Sequence, residues 1–503
     1  MSQNEWLAIA PFLIVSGLAI LVVLVDLMWP RRDTLATGVT VVGILAAMAV
    51  TIVGGPLPWG GQLPVGGQEV FGGVYVRDEL TAFLDLVFLS IALLTILFAP
   101  DYLVPRGLPM AEFSATLLFA IAGAMLLGGG RDVLILFLGL ELLVLPGYML
   151  AAFAKRDGLS TEGAIKYFLL GSFSSAILLF GIALTFGYVG ATRVGAIAER
   201  LAAVASGEAP LAIGLAMGLA LMSVGVAFKI AAVPFHYWTP DAYQGSPTPV
   251  TGYLSVGPKV AAFALILRLF VEALAPLRGE WALLVGILAA LTMTVGNLAA
   301  LGQDNIKRML AYSSIAQTGY IMVGLAVYAA ATDPATQATG LQGVLFYSGA
   351  YAFMNLGAFA CVAALQRRPG VTSQISSFAG LGRDLGTFQF SVEVARLHRS
   401  VKLPLGREHA VLVRERLAMV FRVDNVVAEL RPLLFDELLP AGIGPLLLFR
   451  RRRGDRRRFD LRGRCFGGGG GDVFARFRRM GSNRVVWNRL GELRIGRASH
   501  GRW

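Results

Sequence analysis

Apolar residues come along this chain in blocks of about twenty, the length an α-helix needs to cross a hydrocarbon layer of about 30 Å. Short polar or Gly- and Pro-rich connections separate them. Block length and spacing predict eleven spans, at residues 6–29, 35–54, 79–100, 111–128, 132–153, 165–190, 211–233, 250–275, 281–301, 309–331 and 341–365. The first run exceeds a signal-peptide core, follows Glu5 instead of a basic stretch and lacks a small-residue cleavage site, so it reads as a retained anchor. The expected fold class is an all-α polytopic membrane protein.

One stretch departs from this pattern. Residues 224–260 set Lys229 and Lys259 around Pro234, Pro240, Pro247, Pro249 and Pro258. Each proline removes a backbone donor, so no unbroken helix can carry both charges, and the seventh span is expected to be discontinuous. Within a bilayer, freed backbone groups and ammonium groups survive only against protein or water, which points to a polar interior path used by ions.

Few other ionisable residues fall inside spans three to eleven: Asp85, Glu112, Glu141, Lys166, Arg268 and Glu272, each of which needs a partner or water. Glu141 follows Asp132 by nine residues, about 13 Å of helix and hence near mid-bilayer. Similar counting puts Lys259 near the centre, whereas Lys229 falls about 27 Å from Leu211 and its depth stays open. His236, beside the break, could relay a proton or bond a freed carbonyl. Tyr237, Trp238 and Tyr243 read as interfacial aromatics, with lining a path as the lesser alternative, and Lys307 and Arg308 as positive-inside anchors, with proton entry as the minority reading.

Composition alters the picture mainly by dividing the chain. The protein is 56% apolar and 15% charged, with a net charge of +12. Residues 1–386 hold 19 Lys and Arg against 21 Asp and Glu, or −2, whereas 387–503 hold 25 against 11, or +14. The basicity belongs to the end of the chain and argues nothing about the membrane part. That end carries RRRRGDRRR at 450–458 and GGGGG at 467–471. The glycine run lacks the Lys-Ser/Thr of a phosphate loop, and the arginine clusters would attract acidic lipid or nucleic acid by charge alone, without specific nucleic-acid recognition. The best residual apolar run, 433–449, contains Asp436, Glu437, prolines and glycines and is not counted as a span. Cys361 and Cys465 have no ligand spacing around them, which argues against disulfides, zinc or clusters in this chain. In the short loops, nine basic residues, Arg31 to Arg368, lie on one side and five, Arg77 to Arg278, on the other, placing the N-terminus outside.

LGLELLVLPGYML around Glu141, AIKYFLLGSFSSAILLFGIAL (164–184), FKIAAVPFHYWTPDAYQGSPTPVTGYLSVGPK (228–259), DNIKRMLAYSSIAQTGY (304–320) and YAFMNLGAF (351–359) together resemble the subunit N family of NADH-quinone oxidoreductases. These are proton-pumping membrane subunits of bacterial respiratory complex I, related to cation/proton antiporters. The resemblance covers residues 1–383 and implies an antiporter-like inverted-repeat bundle in the cell membrane. It implies the other complex I membrane subunits and the lipid bilayer as partners, with quinone, FMN and iron-sulfur clusters held elsewhere in the complex and no cofactor in this chain. By resemblance Glu141 is the family's intramembrane glutamate, Lys229 the lysine of the broken helix and Lys259 that of the next helix, with His236 a further path candidate.

The departures are equally specific. Gln317 stands where many relatives carry histidine. The fourteen-helix family has a second broken helix reached through a Gly-Ile-Pro-Pro motif, and this chain has neither past Arg383, so the second repeat is expected to be truncated. Residues 384–503 then read as an Arg-rich disordered tail or the product of a reading-frame change. Rival functional readings are a subunit of an antiporter or membrane-bound hydrogenase, and a non-pumping membrane scaffold.

Overall fold

A computed structural model describes residues 3–30, 32–54, 67–208 and 210–378. The 383/384 boundary, the basic region and the run at 433–449 lie outside the described residues. Among the described residues fourteen α-helices follow one another: α1 Gln3–Met28, α2 Asp33–Val53, α3 Glu79–Phe98, the short α4 Pro100–Leu103, α5 Met110–Gly129, α6 Val133–Ala151 and α7 Gly158–Val189. After them come α8 Val194–Ala205, α9 Ile213–Lys229, α10 Trp238–Gly245, α11 Thr248–Ile266, α12 Arg278–Leu301, α13 Ile306–Ala330 and α14 Pro334–Leu365.

Among the described residues ten helical segments are long and apolar enough to cross a membrane, and α9, of 17 residues, is a shorter apolar helix. They match the eleven expected segments one for one. The largest boundary differences are at α7 and α14, each of 32 residues, which begin seven positions before the apolar runs. Their first turns, GLSTEGA and PATQATG, are polar because they extend past the apolar core.

Helix starts follow N-cap chemistry. Side chains of Asp78, Asp132, Asp157, Asn305 and Asp333 accept backbone N–H groups of the first turn of α3, α6, α7, α13 and α14, at 2.8–3.3 Å. Two elements were not expected. A hairpin pairs β1 Gln68–Val70 with β2 Tyr75–Arg77, Gln68 opposite Arg77, and α8 is a short amphipathic helix.

The bundle is built around α11. With the π-helical continuation Leu267–Ala273, its most apolar window is 94% buried, against 22% for the segment that contains α12. The helix with Lys259 is thus central, and α12 is peripheral. Close antiparallel pairs supply the walls. A side chain at Gly123 of α5 would overlap the Leu143 amide and come within 2.7 Å of the Gly139 carbonyl on α6. Only glycine lets these backbones approach, and that contact fixes α6 two residues from Glu141.

Candidate functional site

The predicted break lies where expected. Helix α9 ends on Lys229, residues 230–237 leave the helix, and α10 resumes at Trp238. Ala231 takes a left-handed backbone (φ 58°), sparsely populated for a residue with a side chain and held by its surroundings. Those surroundings satisfy the freed groups: Trp238 Nε1 donates to Phe228 O at 3.2 Å, Thr318 donates to Ile230 O at 3.0 Å, and the Val233 amide donates to Thr292 Oγ1 at 3.0 Å. A broken helix persists in a membrane only with this kind of replacement bonding.

Lys229 is 6% exposed. Its ammonium donates to Ser175 Oγ at 2.8 Å and Gly171 O at 3.3 Å on α7, while Ser174 donates to Gly225 O on α9 at 3.0 Å. As the last residue of α9 it also lies at the negative end of the helix dipole. A cavity of about 10 Å³, room for about one water, lies beside it, walled by Leu140, Leu143 and Val144 of α6, Tyr167, Trp238 and Pro258. Lys229 therefore sits level with the middle turns of α6 and α7.

Glu141, half-buried on α6, keeps its Oε1 buried without a hydrogen-bond partner. Among the described residues no ion pair joins it to Lys229, and its charge acts on that ammonium through space. A carboxylate that acts on an ammonium without direct contact is a pair whose coupling depends on their separation and on the dielectric between them.

Lys259 is 1% exposed. Both of its hydrogen bonds go to Ser314 of α13, at 2.8 Å to the carbonyl and 2.6 Å to the hydroxyl. The Ser314 hydroxyl shares a 2.7 Å bond with Tyr351, which donates to Ser255 O at 3.0 Å; Asn355 donates to Ser255 Oγ at 2.6 Å and Tyr351 at 3.1 Å. Four residues from three helices thus form a continuous polar chain around one ammonium.

The remaining expected residues divide. His236 is buried and stacked on Tyr237 at 4.7 Å, with no hydrogen bond to Glu141, Lys229 or Lys259 among the described residues. Tyr237 is 72% exposed, whereas Trp238 and Tyr243 are buried and the interfacial reading is corrected for them. Trp238 stacks on Tyr167 at 4.4 Å and closes the Lys229 cavity. Lys307 is likewise no exposed anchor, being 5% exposed with its ammonium on Ser246 O at 2.8 Å. Arg308 pairs with Asp241 at 2.6 Å, and Lys166 with the same carboxylate at 2.8 Å. Gln317 accepts a hydrogen bond from Tyr347.

Ser175, Ser314, Thr318, Tyr351, Asn355 and Asp241 were not singled out in the sequence. The paired serines in LLGSFSSA and AYSSIA were the available signal. Among the described residues no group of His, Cys, Asp or Glu is placed to hold a metal ion.

These features define a class: a polytopic, antiporter-like helical bundle with one broken helix that ends on a buried lysine and a second buried lysine on the central helix. Comparison with known proteins agrees. Residues 130–398 match the family described as NADH:quinone oxidoreductase/Mrp antiporter, TM. NADH-quinone oxidoreductase subunit N 1 of Koribacter versatilis is 38% identical over 383 residues, covering 76% of this chain and 74% of its own. A chain in respiratory complex I from Thermus thermophilus with bound aureothin is 31% identical with a TM-score of 0.56, covering 74% of each chain. A chain of the membrane-bound sulfane sulfur reductase, an archaeal respiratory membrane complex, is 26% identical with a TM-score of 0.62, covering 75% and 74%. The protein belongs to this family, in its NADH-quinone oxidoreductase subunit N branch.

Proposed function

We propose that this chain translocates protons as a membrane subunit of an NADH:quinone oxidoreductase, driven by electron transfer in partner subunits that carry FMN, iron-sulfur clusters and the quinone site. The observation that carries this reading is Lys229: a buried ammonium at the end of a broken helix, on two neutral acceptors, with the Glu141 carboxylate acting on it from another helix. Bringing Glu141 nearer favours the charged lysine, and moving or neutralising it favours release. The released proton travels through water to Lys259. The N-terminus faces outside and the start of α7, α11 and α13 faces the cytoplasm. The pumping unit is confined to 1–383, with 384–503 a separate basic region.

Replacing Lys229 by Ala should abolish proton uptake by the reconstituted complex while leaving NADH oxidation measurable. Unchanged proton uptake per electron would overturn the assignment. A second reading places the same path in a membrane complex with another electron donor, as the likeness to the sulfane sulfur reductase chain allows. Absence of NADH dehydrogenase activity from the complex that copurifies with the chain would favour it.

A further inference from the structure

Lys307 stands apart from the residues assigned so far. It opens α13, one position before Arg308, yet the two neighbours have opposite surroundings. Arg308 is partly exposed and neutralised by Asp241 at 2.6 Å. Lys307 is buried, and its ammonium bonds a single neutral oxygen, Ser246 O, at 2.8 Å. Among the described residues no ion pair reaches it; the charges that act on it from a distance are Asp157, exposed at the N-cap of α7, and Arg106. An ammonium carries three donors, and a buried one held by a single acceptor is costly unless its position serves a purpose.

Its helix supplies that purpose. Lys307, Ala311, Ser314 and Thr318 are all buried and recur at helical spacing, so they form one stripe along α13. Ser314 on that stripe holds Lys259, and Thr318 bonds Ile230 O in the break directly after Lys229. That stripe of α13 thus carries Lys307, holds the Lys259 ammonium and bonds the carbonyl of Ile230 in the break. From Lys307 to Ser314 is about 10 Å along the axis, two helical turns of one buried stripe. Ser246 O, the acceptor for Lys307, also takes the hydroxyl of Thr251 at 3.2 Å, on the same helix as Lys259. The exposed carboxylate of Asp157 gives the mouth a site that attracts protons.

We propose that Lys307 is the loading residue at the mouth of the path, taking a proton from the α10 end of the bundle and giving it to Lys259 along the Ser314 face of α13. In the balanced step the Lys307 ammonium becomes a neutral amine, its proton passes through water and the Ser314 hydroxyl to neutral Lys259, and a proton from the surface recharges Lys307. This rests on the pumping role given to Lys259 above.

The test compares Lys307→Arg, Lys307→Met and Lys259→Met in the assembled complex, reading proton uptake per electron in vesicles. Arginine keeps the charge and the bond to Ser246 but does not release its proton, so it separates a relay from an anchor. Lys307→Arg and Lys307→Met are both expected to assemble and to lose uptake about a hundredfold or to background, the scale of a lost proton-transfer group. Full uptake in Lys307→Arg, or failure of that variant to assemble, makes Lys307 a structural ammonium and overturns the proposal. Normal uptake in Lys259→Met would instead sink the underlying reading of the path.

Discussion

A lysine ammonium held centrally in a bilayer costs about 2.5–3.5 kcal/mol on insertion scales. Here that cost is offset by few atoms. Lys229 relies on Ser175 and Gly171, and Lys259 on Ser314 alone. Removing the Ser175 hydroxyl should weaken the hold on Lys229 by about 1.5–3 kcal/mol, the worth of a hydrogen bond to a charged group. Ser175→Ala is therefore expected to assemble but pump fewer protons per electron, with Ser175→Thr close to wild type, as vesicle acidification would measure. The charged members of the site were legible in the sequence because an ionisable residue inside an apolar run is conspicuous. The serines were not. Hydroxyls in membrane helices commonly bond their own carbonyl four residues back, as Thr95, Thr185 and Ser223 do here. Apart from standing in serine pairs, nothing local distinguishes those from Ser175 and Ser314, which bond residues of other helices.

Helices were legible as elements, and their interfaces were not. Run length predicted all eleven apolar segments, and the five prolines predicted the break, since both depend on local composition alone. Strands of three residues in β1 and β2 carry too little periodicity to read, and the amphipathic α8 is too short to span. The α5–α6 contact has its sharpest test at Gly123. Gly123→Ala would push its methyl into the backbone of Leu143 and force the helices apart, an overpacking cost of about 1–3 kcal/mol. Because that shift moves α6, it should lower both the melting temperature of the purified complex and its pumping. Thermal unfolding followed alongside proton uptake checks the pairing.

Across the whole molecule, charge clusters tie both ends of the bundle. At the hairpin end Arg268 pairs with Asp78 at 2.8 Å and Glu272 at 2.5 Å, and Arg131 pairs with the same carboxylates at 3.8 and 3.2 Å. This ring joins the cap of α3, the α5–α6 connection and the π-helical end of the central helix. Burial alone would raise the Asp78 carboxyl, but the Arg268 guanidinium and the Thr81 bonds hold it below its ordinary 3.8. A depressed carboxyl stabilises fully above its unfolded value, so the ring is complete at neutral pH and its contribution is lost as pH falls through the lowered value. Asp78→Asn should cost about 2 kcal/mol at neutral pH, with the difference from wild type shrinking in strong acid. Thermal melts across pH would show whether it does.

The sequence by itself determined that this chain spans a membrane, which stretches form its long helices, where one of them breaks and which charges lie inside, because each depends on residues near one another in the chain. Only the tertiary structure decided what those charges touch. Lys229 reaches α7 across 54 positions to Ser175, Lys259 reaches α13 across 55 to Ser314, and Lys307 reaches back 61 to Ser246. Partners at such separations are set by how the helices pack, and packing put Lys307 and the acceptor of Lys259 on one face of α13 while seating Lys229 on α7.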